Sequence, residues 1–521
     1  MTARADDSPV RSRTDRTHQR IPVGRFRVAM SEVIAREGWQ AAIPLIEAHW
    51  DVLSSEAPQQ LLAVIRSLPG AAFVDRPTLL VAANYLQHVV AGGDPARFAG
   101  VNVVDAEMGG VELGLMDRLA LLTSRAADAR TSGDVTVART AAEEARAILD
   151  RSSNQERAAI LTSLPHMAVQ WGRSLEQAEA PRAGFEYEEA YETALLTDQA
   201  AIARRAAARL AWLHAVRGRL NAAELWVARA ADRRAGSGRY DGVIYITRAL
   251  IHLDRDDNDG ARRELALTAA LGDGEDWAGA LWVESMTARD AATATVIEAR
   301  INQQLERLPE RLAVSGANGR FIRASGARLA ALRGRSVKAS MPPQRDSTTT
   351  DLVIAGAVAL AERRYHDATE VIQPATAADE TPRVQSSALL VEAASLLALG
   401  QSESAERSFR QAHALIEEER IHTTYECIPP DWLERLAALS SVPPPHARSP
   451  IHRDPSDARL LSRREQEVLG QLDTDRSMAE IAAALYVSVN TVKSTVRRLY
   501  RKLEVDSRGA ALDVAKSRGL F

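Results

Sequence analysis

Apolar residues along positions 21–439 recur at spacings of three and four, which is the spacing of one face of a helix. The region is rich in Ala, Leu, Arg and Glu. Runs of Val, Ile and Thr, which are typical of strands, are few. The pattern therefore predicts an all-α body.

Within this body, one pattern of residue types recurs at a nearly constant interval. A copy has a glycine or polar residue, a bulky residue two places later and an alanine three places further on, as in Gly218, Leu220 and Ala223. The alanines of the copies are Ala42, Ala138, Ala183, Ala223, Ala261, Ala368 and Ala405. Ala183 and Ala223 are 40 residues apart, and Ala368 and Ala405 are 37 apart. This period predicts a solenoid of stacked helical hairpins, because small alanines let neighbouring helices approach closely.

The repeat resembles the tetratricopeptide (TPR) repeat. The stretch from Gly38 to Pro69 also resembles the helical region of MalT-like regulators. The resemblance implies a TPR-like solenoid and fixes no functional residue in it.

Two proline-containing stretches divide the chain. Residues 336–350 hold a Pro-Pro pair among Ser and Thr, and residues 440–458 hold three consecutive prolines. We predict a disordered tail at 1–20, a first helical-repeat block at 21–335, a loop at 336–350, a second block at 351–439, a Pro-rich linker at 440–458 and a separate domain at 459–521. Asp351 is predicted to cap the helix that follows the loop.

The last segment, residues 459–521, has the pattern of four short helices. Capping boxes, in which a Ser and a Glu three residues later exchange hydrogen bonds, begin the first helix at Ser462 and the second at Ser477. Ile481, Ala484 and Leu485 are predicted to face inward from the second helix. Ser488 is predicted to cap the third helix, whose buried stripe is Val489, Val492, Val496, Leu499 and Leu503. The fourth helix is predicted at Arg508–Arg518.

The opposite face of the third helix is strongly basic. Lys493, Arg497, Arg498, Arg501 and Lys502 give it five positive charges, and no Asp or Glu lies between Ser488 and Leu503. A capped helix, a tight turn and a second helix with a basic free face form the geometry that enters the major groove of DNA. The alternative is an ordinary solvated face of Lys and Arg.

Several short runs resemble the LuxR-type helix-turn-helix of bacterial transcription regulators. The runs are Leu461–Leu469, Glu480–Leu485, Thr491–Lys493, Arg501–Leu503 and Arg508. The resemblance implies that the third helix reads double-stranded DNA in the major groove and that the fourth supports a homodimer on DNA. The implied DNA-binding residues are Asn490, Thr491, Lys493, Ser494, Arg497, Arg498, Arg501 and Lys502, with base contacts at Lys493, Ser494 and Arg497. The sequence departs from the family at Thr495, where a histidine is common, and at Asp473–Asp475, where a glycine is usual.

The charge is unevenly distributed. Residues 459–521 contain 12 Lys and Arg against 8 Asp and Glu, a net charge of +4, which leaves −8 for the rest of a chain whose net charge is −4. The asymmetry suits a DNA-binding segment attached to a body that does not bind DNA. A single cysteine, Cys427, favours a reducing compartment. No apolar run reaches the roughly 18 residues of a membrane span and no signal peptide is visible, so we expect a soluble, cytoplasmic protein.

Motifs for catalysis or metal binding are missing from the sequence. The Gly-x-x-x-x-Gly-Lys-Ser/Thr loop of an ATP-binding domain does not occur. His413, His422 and Cys427 do not have the spacing of zinc ligands. The acidic run Asp254–Asp259 is predicted to be a solvated turn, because Leu265 stands where a calcium loop would need its closing Glu. We predict no enzymatic activity, no cofactor and no metal.

Aromatic residues concentrate in the centre of the body, and arginines lie in the same stretch. The aromatic residues are Trp212, Trp226, Tyr240, Tyr245, Trp277 and Trp282. They either fill the repeat core or line a concave groove for a small-molecule or protein effector. The main hypothesis is a transcription regulator whose body is a sensor, partner-docking or oligomerisation module. The alternative is an interaction scaffold with only accessory DNA binding.

Overall fold

A computed structural model defines the fold. It describes residues 25–76, 78–90, 114–231, 242–271, 274–333, 348–376, 381–442, 463–472, 476–485, 487–503, 505 and 507–518. Regular structure in these ranges is helical, and they contain no strand. The prediction of an all-α fold is confirmed.

The chain divides into two compact units. The first comprises residues 1–210, 228–240 and 315–317, and the second comprises 211–227, 241–314 and 318–521. The helices are α1 (Phe26–Glu37), α2 (Trp39–Glu56), α3 (Pro58–Arg66), α4 (Gly70–Asp75), α5 (Thr78–Val90), α6 (Leu115–Ser132), α7 (Val135–Arg151), α8 (Asn154–Ala159), α9 (Leu164–Gln177), α10 (Ala183–Leu196), α11 (Ala200–Arg217), α12 (Leu220–Ala231), α13 (Gly242–Asp254), α14 (Asn258–Leu271), α15 (Trp277–Met286), α16 (Ala291–Glu306), α17 (Glu310–Val314), α18 (Gly316–Leu332), α19 (Thr349–Ala361), α20 (Tyr365–Ile372), α21 (Pro382–Ala398), α22 (Ser402–Glu419), α23 (Pro430–Ser440), α24 (Arg463–Leu472), α25 (Met478–Ala484), α26 (Val489–Leu503) and α27 (Arg508–Arg518). Short 3-10 helices span Gln373–Thr376 and His422–Cys427.

Within the described ranges, six helical hairpins share one turn geometry. They are α6–α7, α9–α10, α11–α12, α13–α14, α19–α20 and α21–α22. In each, a residue one or two places after the end of the first helix has a left-handed backbone, with φ between 56° and 85°; these residues are Gly133, Glu179, Gly218, Asp256, Arg363 and Gly400. The next backbone N–H donates to the carbonyl five residues earlier, at 2.7–2.9 Å in every case. This is the hydrogen bond of a Schellman cap, which ends a helix and reverses the chain.

The predicted alanines follow these turns. Ala138, Ala183, Ala223, Ala261, Ala368 and Ala405 lie four or five residues after the left-handed residue, and each is 0% exposed. Helices also approach closely at Gly356 on α19, where a Cβ atom would collide with the side chain of Ile372 on α20. The predicted pattern of helical hairpins is confirmed.

Two hydrogen bonds each join residues 40 positions apart, one between consecutive hairpins and one between α21 and the 3-10 helix that follows α22. In the first unit, Arg146 Nε donates to Glu186 Oε1 at 3.0 Å, 40 residues away. In the second unit, Arg383 Nη1 donates to Thr423 Oγ1 at 3.0 Å, also across 40 residues. The Arg146 guanidinium lies 5.3 Å from the ring centroids of both Trp171 and Phe185. Burial raises the pKa of Glu186, and its hydrogen bond and charge pairing with Arg146 oppose that shift.

A buried ion pair lies in the second unit, at the turn between α13 and α14. Asp254 is 0% exposed, and Arg383 donates to both of its carboxylate oxygens, at 3.1 and 2.6 Å. The Thr423 hydroxyl also donates to Asp254. The prediction that the run Asp254–Asp259 is a solvated turn is therefore wrong for Asp254. Its partner lies 129 residues further along the chain, so the local sequence gives no sign of it.

The cap of α19 differs from the prediction. Thr348 is the N-cap, and Asp351 is the third residue of the helix, whose carboxylate accepts a hydrogen bond from the Thr348 backbone N–H at 3.3 Å. The predicted cap at Asp351 is wrong because the helix begins earlier, at Thr349. Asp351 instead completes a capping box and accepts hydrogen bonds from Arg323.

Three predicted segments lie wholly or mostly outside the described part of the chain. These are the tail at 1–20, the loop at 336–350 and the linker at 440–458. The domain boundaries stay predictions.

Candidate DNA interface

Helices α24 to α27 form a small bundle with its own hydrophobic core. The buried residues of this core are Val468, Leu469, Leu472, Ile481, Ala482, Val492, Val496, Leu499, Leu503, Ala511 and Ala515. All four helices contribute to it. The bundle holds α26 with one face against the core and the opposite face outward.

Side-chain caps fix the start of the two central helices. At the start of α25, the Ser477 backbone N–H donates to Glu480 Oε2 at 2.8 Å, and the Glu480 N–H donates to Ser477 Oγ at 3.3 Å. The hydrogen bonds that the Ser477 backbone N–H and hydroxyl donate to the Glu480 carboxylate lower the pKa of Glu480. At the start of α26, the Thr491 N–H donates to Ser488 Oγ at 3.1 Å. The predicted caps at Ser477 and Ser488 are confirmed, and Ser462 lies outside the described residues.

The buried stripe of α26 is shorter than predicted. Val492, Val496, Leu499 and Leu503 are buried, but Val489 is 37% exposed. Val489 is the first residue of the helix and extends beyond the part that the other helices cover. On α25, Ala484 is exposed and Ala482 is buried in its place, so the prediction that Ala484 faces inward is also wrong.

The predicted DNA-binding side chains whose positions are described all lie on the outer face of α26. Thr491, Lys493, Ser494, Arg497 and Arg498 are exposed. Asn490, Arg501 and Lys502 belong to the same helix, but their side chains lie outside the described part of the structure.

Hydrogen bonds between residues three positions apart order part of this outer face. The Ser494 hydroxyl donates to the Thr491 carbonyl at 3.0 Å, and Arg498 Nη2 lies 3.5 Å from Thr495 Oγ1. Thr495 itself is 1% exposed, and its hydroxyl donates to the Thr491 carbonyl at 2.8 Å. Thr495 therefore packs on the core side of the helix.

The face can bind an anionic ligand of regular shape. Lys493 and Arg497 are four residues apart, so their side chains emerge one turn apart on the same side of the helix. Arg498 lies on the flank, and no carboxylate occurs between Ser488 and Leu503. Long cationic side chains on one exposed helical face can reach both base edges and phosphates in a major groove.

Arg508, the first residue of α27, binds the connection between α24 and α25. Its Nε and Nη2 donate to the Leu472 carbonyl at 2.9 and 2.6 Å, and its Nη1 donates to the Arg476 carbonyl at 2.7 Å. The sequence identified Arg508 only as part of a motif. Its partners are backbone carbonyl groups, which no residue pattern reveals.

Two of the aromatic residues of the body, Trp212 and Trp282, pack against each other and against Phe321. In the second unit, the rings of Trp282 and Phe321 stack at 5.0 Å, and Trp212 meets both. Trp212 and Trp277 are buried, and Tyr240 lies outside the described residues. Of the two predicted roles for these aromatic residues, packing in the repeat core applies to Trp212 and Trp277. An effector groove stays a prediction.

Two histidines of the second block, His413 and His422, have protein partners. His413 Nδ1 lies 2.6 Å from the Tyr425 hydroxyl. His422 lies near Asp256 and Glu417, and its contact with Asp256 raises its pKa. The described residues include no group of three His, Cys, Asp or Glu side chains arranged to hold a metal ion. Among the described helices, none is both long and apolar enough to cross a membrane.

Comparison with known proteins agrees with the geometry of the bundle. Residues 459–515 match the family model described as "Bacterial regulatory proteins, luxR family". The chain thus carries a LuxR-type helix-turn-helix domain over these residues. No solved structure matches the chain.

Several curated bacterial proteins are similar to the same region. The "Probable transcriptional regulatory protein NarL" of Mycobacterium tuberculosis is 48% identical over 64 residues, 12% of this chain and 30% of that protein. The "Uncharacterized transcriptional regulatory protein YhcZ" of Bacillus subtilis is 40% identical over 77 residues, 14% of this chain and 36% of that protein. The "CsgBAC operon transcriptional regulatory protein" of Escherichia coli is 38% identical over 60 residues, 12% of this chain and 28% of that protein. The chain therefore spans about a third of the length of these relatives.

Proposed function

We propose that this protein is a cytoplasmic transcription regulator that binds double-stranded DNA through the outer face of α26. The observation that carries the proposal is the exposed row of Lys493, Ser494 and Arg497 on a helix whose other face is buried. The capped helix α25 precedes α26 and packs on it. The similarity of residues 459–515 to the luxR family supports DNA binding by this segment.

Within this function, the cationic residues have different roles. Lys493 and Arg497 contact base edges, together with Ser494, because they lie at the centre of the exposed face. Arg498, on the flank, contacts a phosphate and positions the helix without reading sequence. We assign phosphate contacts to Arg501 and Lys502 as well, and Asn490 and Thr491 complete the interface.

The body and the helix-turn-helix domain have separate tasks in this proposal. The protein binds DNA as a homodimer, so that two copies of α26 read two half-sites. The helical-repeat body acts as a sensor, as a docking site for a partner or as an oligomerisation module. Arrays of helical hairpins commonly bind their partners on an extended concave surface.

The test compares two arginines on one turn of α26. A specific duplex is first selected with the full chain from a random-sequence pool, and a random duplex of equal length is the reference. Arg497→Ala should weaken binding to the specific duplex by about 1–3 kcal/mol more than binding to the random one. Arg498→Ala should weaken both equally, because a phosphate contact is independent of sequence. Fluorescence anisotropy at two salt concentrations measures both effects.

Arg410→Ala is the matched control, since Arg410 is an exposed arginine on α22, in the repeat body. It removes the same charge and should leave binding to both duplexes unchanged. Equal losses for Arg497→Ala and Arg498→Ala on both duplexes would contradict the assigned roles. Absence of salt-dependent DNA binding by the unmodified chain would contradict the function itself.

A further inference from the structure

The side chain of Arg508, on the fourth helix of the bundle, links the end of α24 to the start of α25. Leu472 is the last residue of α24, where the carbonyl groups of a helix have no partner within the helix. Two nitrogens of the Arg508 guanidinium donate to the Leu472 carbonyl. The third donates to the carbonyl of Arg476, which immediately precedes Ser477, the N-cap of α25. One planar group thus links the end of one helix to the start of the next.

We propose that Arg508 is a positioning residue for DNA recognition, which holds α25, and through it α26, in the orientation required for base contacts. This inference rests on the proposed DNA-binding function and adds a residue that lies outside α26. We assign Arg508 no direct contact with DNA, because each of its three guanidinium nitrogens already donates to a protein carbonyl group.

The shape of the guanidinium group matters here as well as its charge. The cation lies at the C-terminal end of α24, where the helix dipole favours positive charge. A lysine at 508 would keep this favourable charge. It would lack the rigid fork of donors that reaches two carbonyl groups at once. The exchange of Arg508 for Lys therefore separates geometry from electrostatics.

Loss of this link should affect recognition of sequence more than general attraction to DNA. Helix α25 packs directly on α26. A base contact needs a side chain within hydrogen-bonding distance and at the right angle. Attraction to phosphates acts over a longer range, about a Debye length of 10 Å at 0.1 M salt, and tolerates a small rotation of the helix. A shift of α25 should therefore lower the ratio of specific to random affinity.

The experiment measures this ratio with the full-length chain, on a duplex selected from a random pool and on a random duplex of equal length. Arg508→Lys should lower the affinity for the selected duplex about tenfold, which corresponds to the loss of one good base contact. The affinity for the random duplex should change less than about twofold, because all the phosphate-binding residues remain. Amide hydrogen exchange should rise in residues 476–481 and stay slow at Val496 and Leu499.

Ser477→Ala is the matched control. It should remove the cap of α25 and lower stability, but Ser477 is not a partner of Arg508, so the three hydrogen bonds of Arg508 should remain. Its ratio of affinities should equal that of the unmodified chain. Arg508→Ala should lower the ratio of affinities as Arg508→Lys does. If the alanine variant does not fold, the result for the lysine variant alone tests the positioning role.

An unchanged ratio for Arg508→Lys, or an equal fall for Ser477→Ala, would overturn the positioning role while leaving the proposed function intact. If the unmodified chain fails to distinguish the two duplexes, the proposed function itself is refuted. The two failures are therefore distinguishable within one set of measurements.

Discussion

The residues at the hairpin turns show how one backbone shape is made by different side chains. Gly133, Gly218 and Gly400 have the left-handed conformation that glycine adopts without strain. Arg363 and Asp256 have the same conformation with φ of 60°. A side chain with a Cβ atom is strained there by roughly 1–2 kcal/mol. The Schellman hydrogen bond and the packing of the two helices hold these residues in place.

An exchange between equivalent turns tests this strain. Arg363→Gly should raise the free energy of unfolding of the second unit by about 0.5–1 kcal/mol, because relief of strain exceeds the extra chain entropy of glycine. Gly400→Arg should lower it by a similar amount. A Cβ atom at Gly400 meets no neighbour within 4 Å, so strain and not a clash is measured. Urea unfolding monitored by circular dichroism gives the change in unfolding free energy for each variant. Two changes of the same sign would contradict the explanation by backbone strain.

At the scale of elements, the 3-10 helix His422–Cys427 is attached to its neighbours through polar side chains. Thr423 donates to Asp254 at the end of α13. The Glu426 carboxylate accepts hydrogen bonds from Arg289, at 3.3 Å, and from Arg328 on α18. Arg383 on α21 completes the set by its bidentate pair with Asp254. A segment of six residues is thus held against several helices by buried or half-buried charged side chains.

A double-mutant cycle on Asp254 and Arg383 tests the importance of this network. Arg383→Met should cost about 3–5 kcal/mol of unfolding free energy, because it leaves a fully buried carboxylate without its cation. Asp254→Asn should also destabilise the second unit. The double variant should lose clearly less than the sum of the single losses, since no unpaired charge remains. Additive losses would indicate that the two side chains act independently.

The sequence predicts local elements more completely than contacts between them. The alternation of helices, the alanine period, and the caps at Ser477 and Ser488 follow from residue spacing, because helical geometry is periodic. The outward orientation of Lys493, Ser494 and Arg497 follows in the same way. Pairs such as Asp254 with Arg383, which are 129 positions apart, depend on the path of the chain between them, which no local pattern contains. The periodic pattern wrongly predicts Val489 and Ala484 in the core, because a regular period does not show where a helix extends beyond its neighbours.

For the whole molecule, the distribution of charge predicts how the body affects binding. Residues 459–521 have a net charge of +4, and the remaining residues have −8. The core of the helix-turn-helix domain is built from residues 468–515, so we expect residues 459–521 to fold as a separate fragment. In the full chain, we expect the net negative charge of the remaining residues to repel DNA at long range and salt to screen this repulsion.

A comparison of the fragment 459–521 with the full chain tests this effect. On a random duplex at low salt, the fragment should bind more tightly than the full chain, because it lacks the negative body. The difference should shrink as salt rises, since the Debye length falls from about 30 Å at 0.01 M to about 10 Å at 0.1 M. The affinity of the fragment itself should fall with a logarithmic slope of about −0.9 for each phosphate neutralised.

Binding to a palindromic selected duplex, measured in the same assay, distinguishes charge repulsion by the body from dimerisation through the body. If the body supplies a dimer interface, the full chain should bind this duplex more tightly than the fragment at every salt concentration, because two linked copies of α26 bind two half-sites together. Repulsion by the body has the opposite sign and disappears in salt, so the two contributions can be distinguished in one titration. A fragment that is helical by circular dichroism and shows no salt-dependent binding to either duplex would refute the role of α26 in DNA binding.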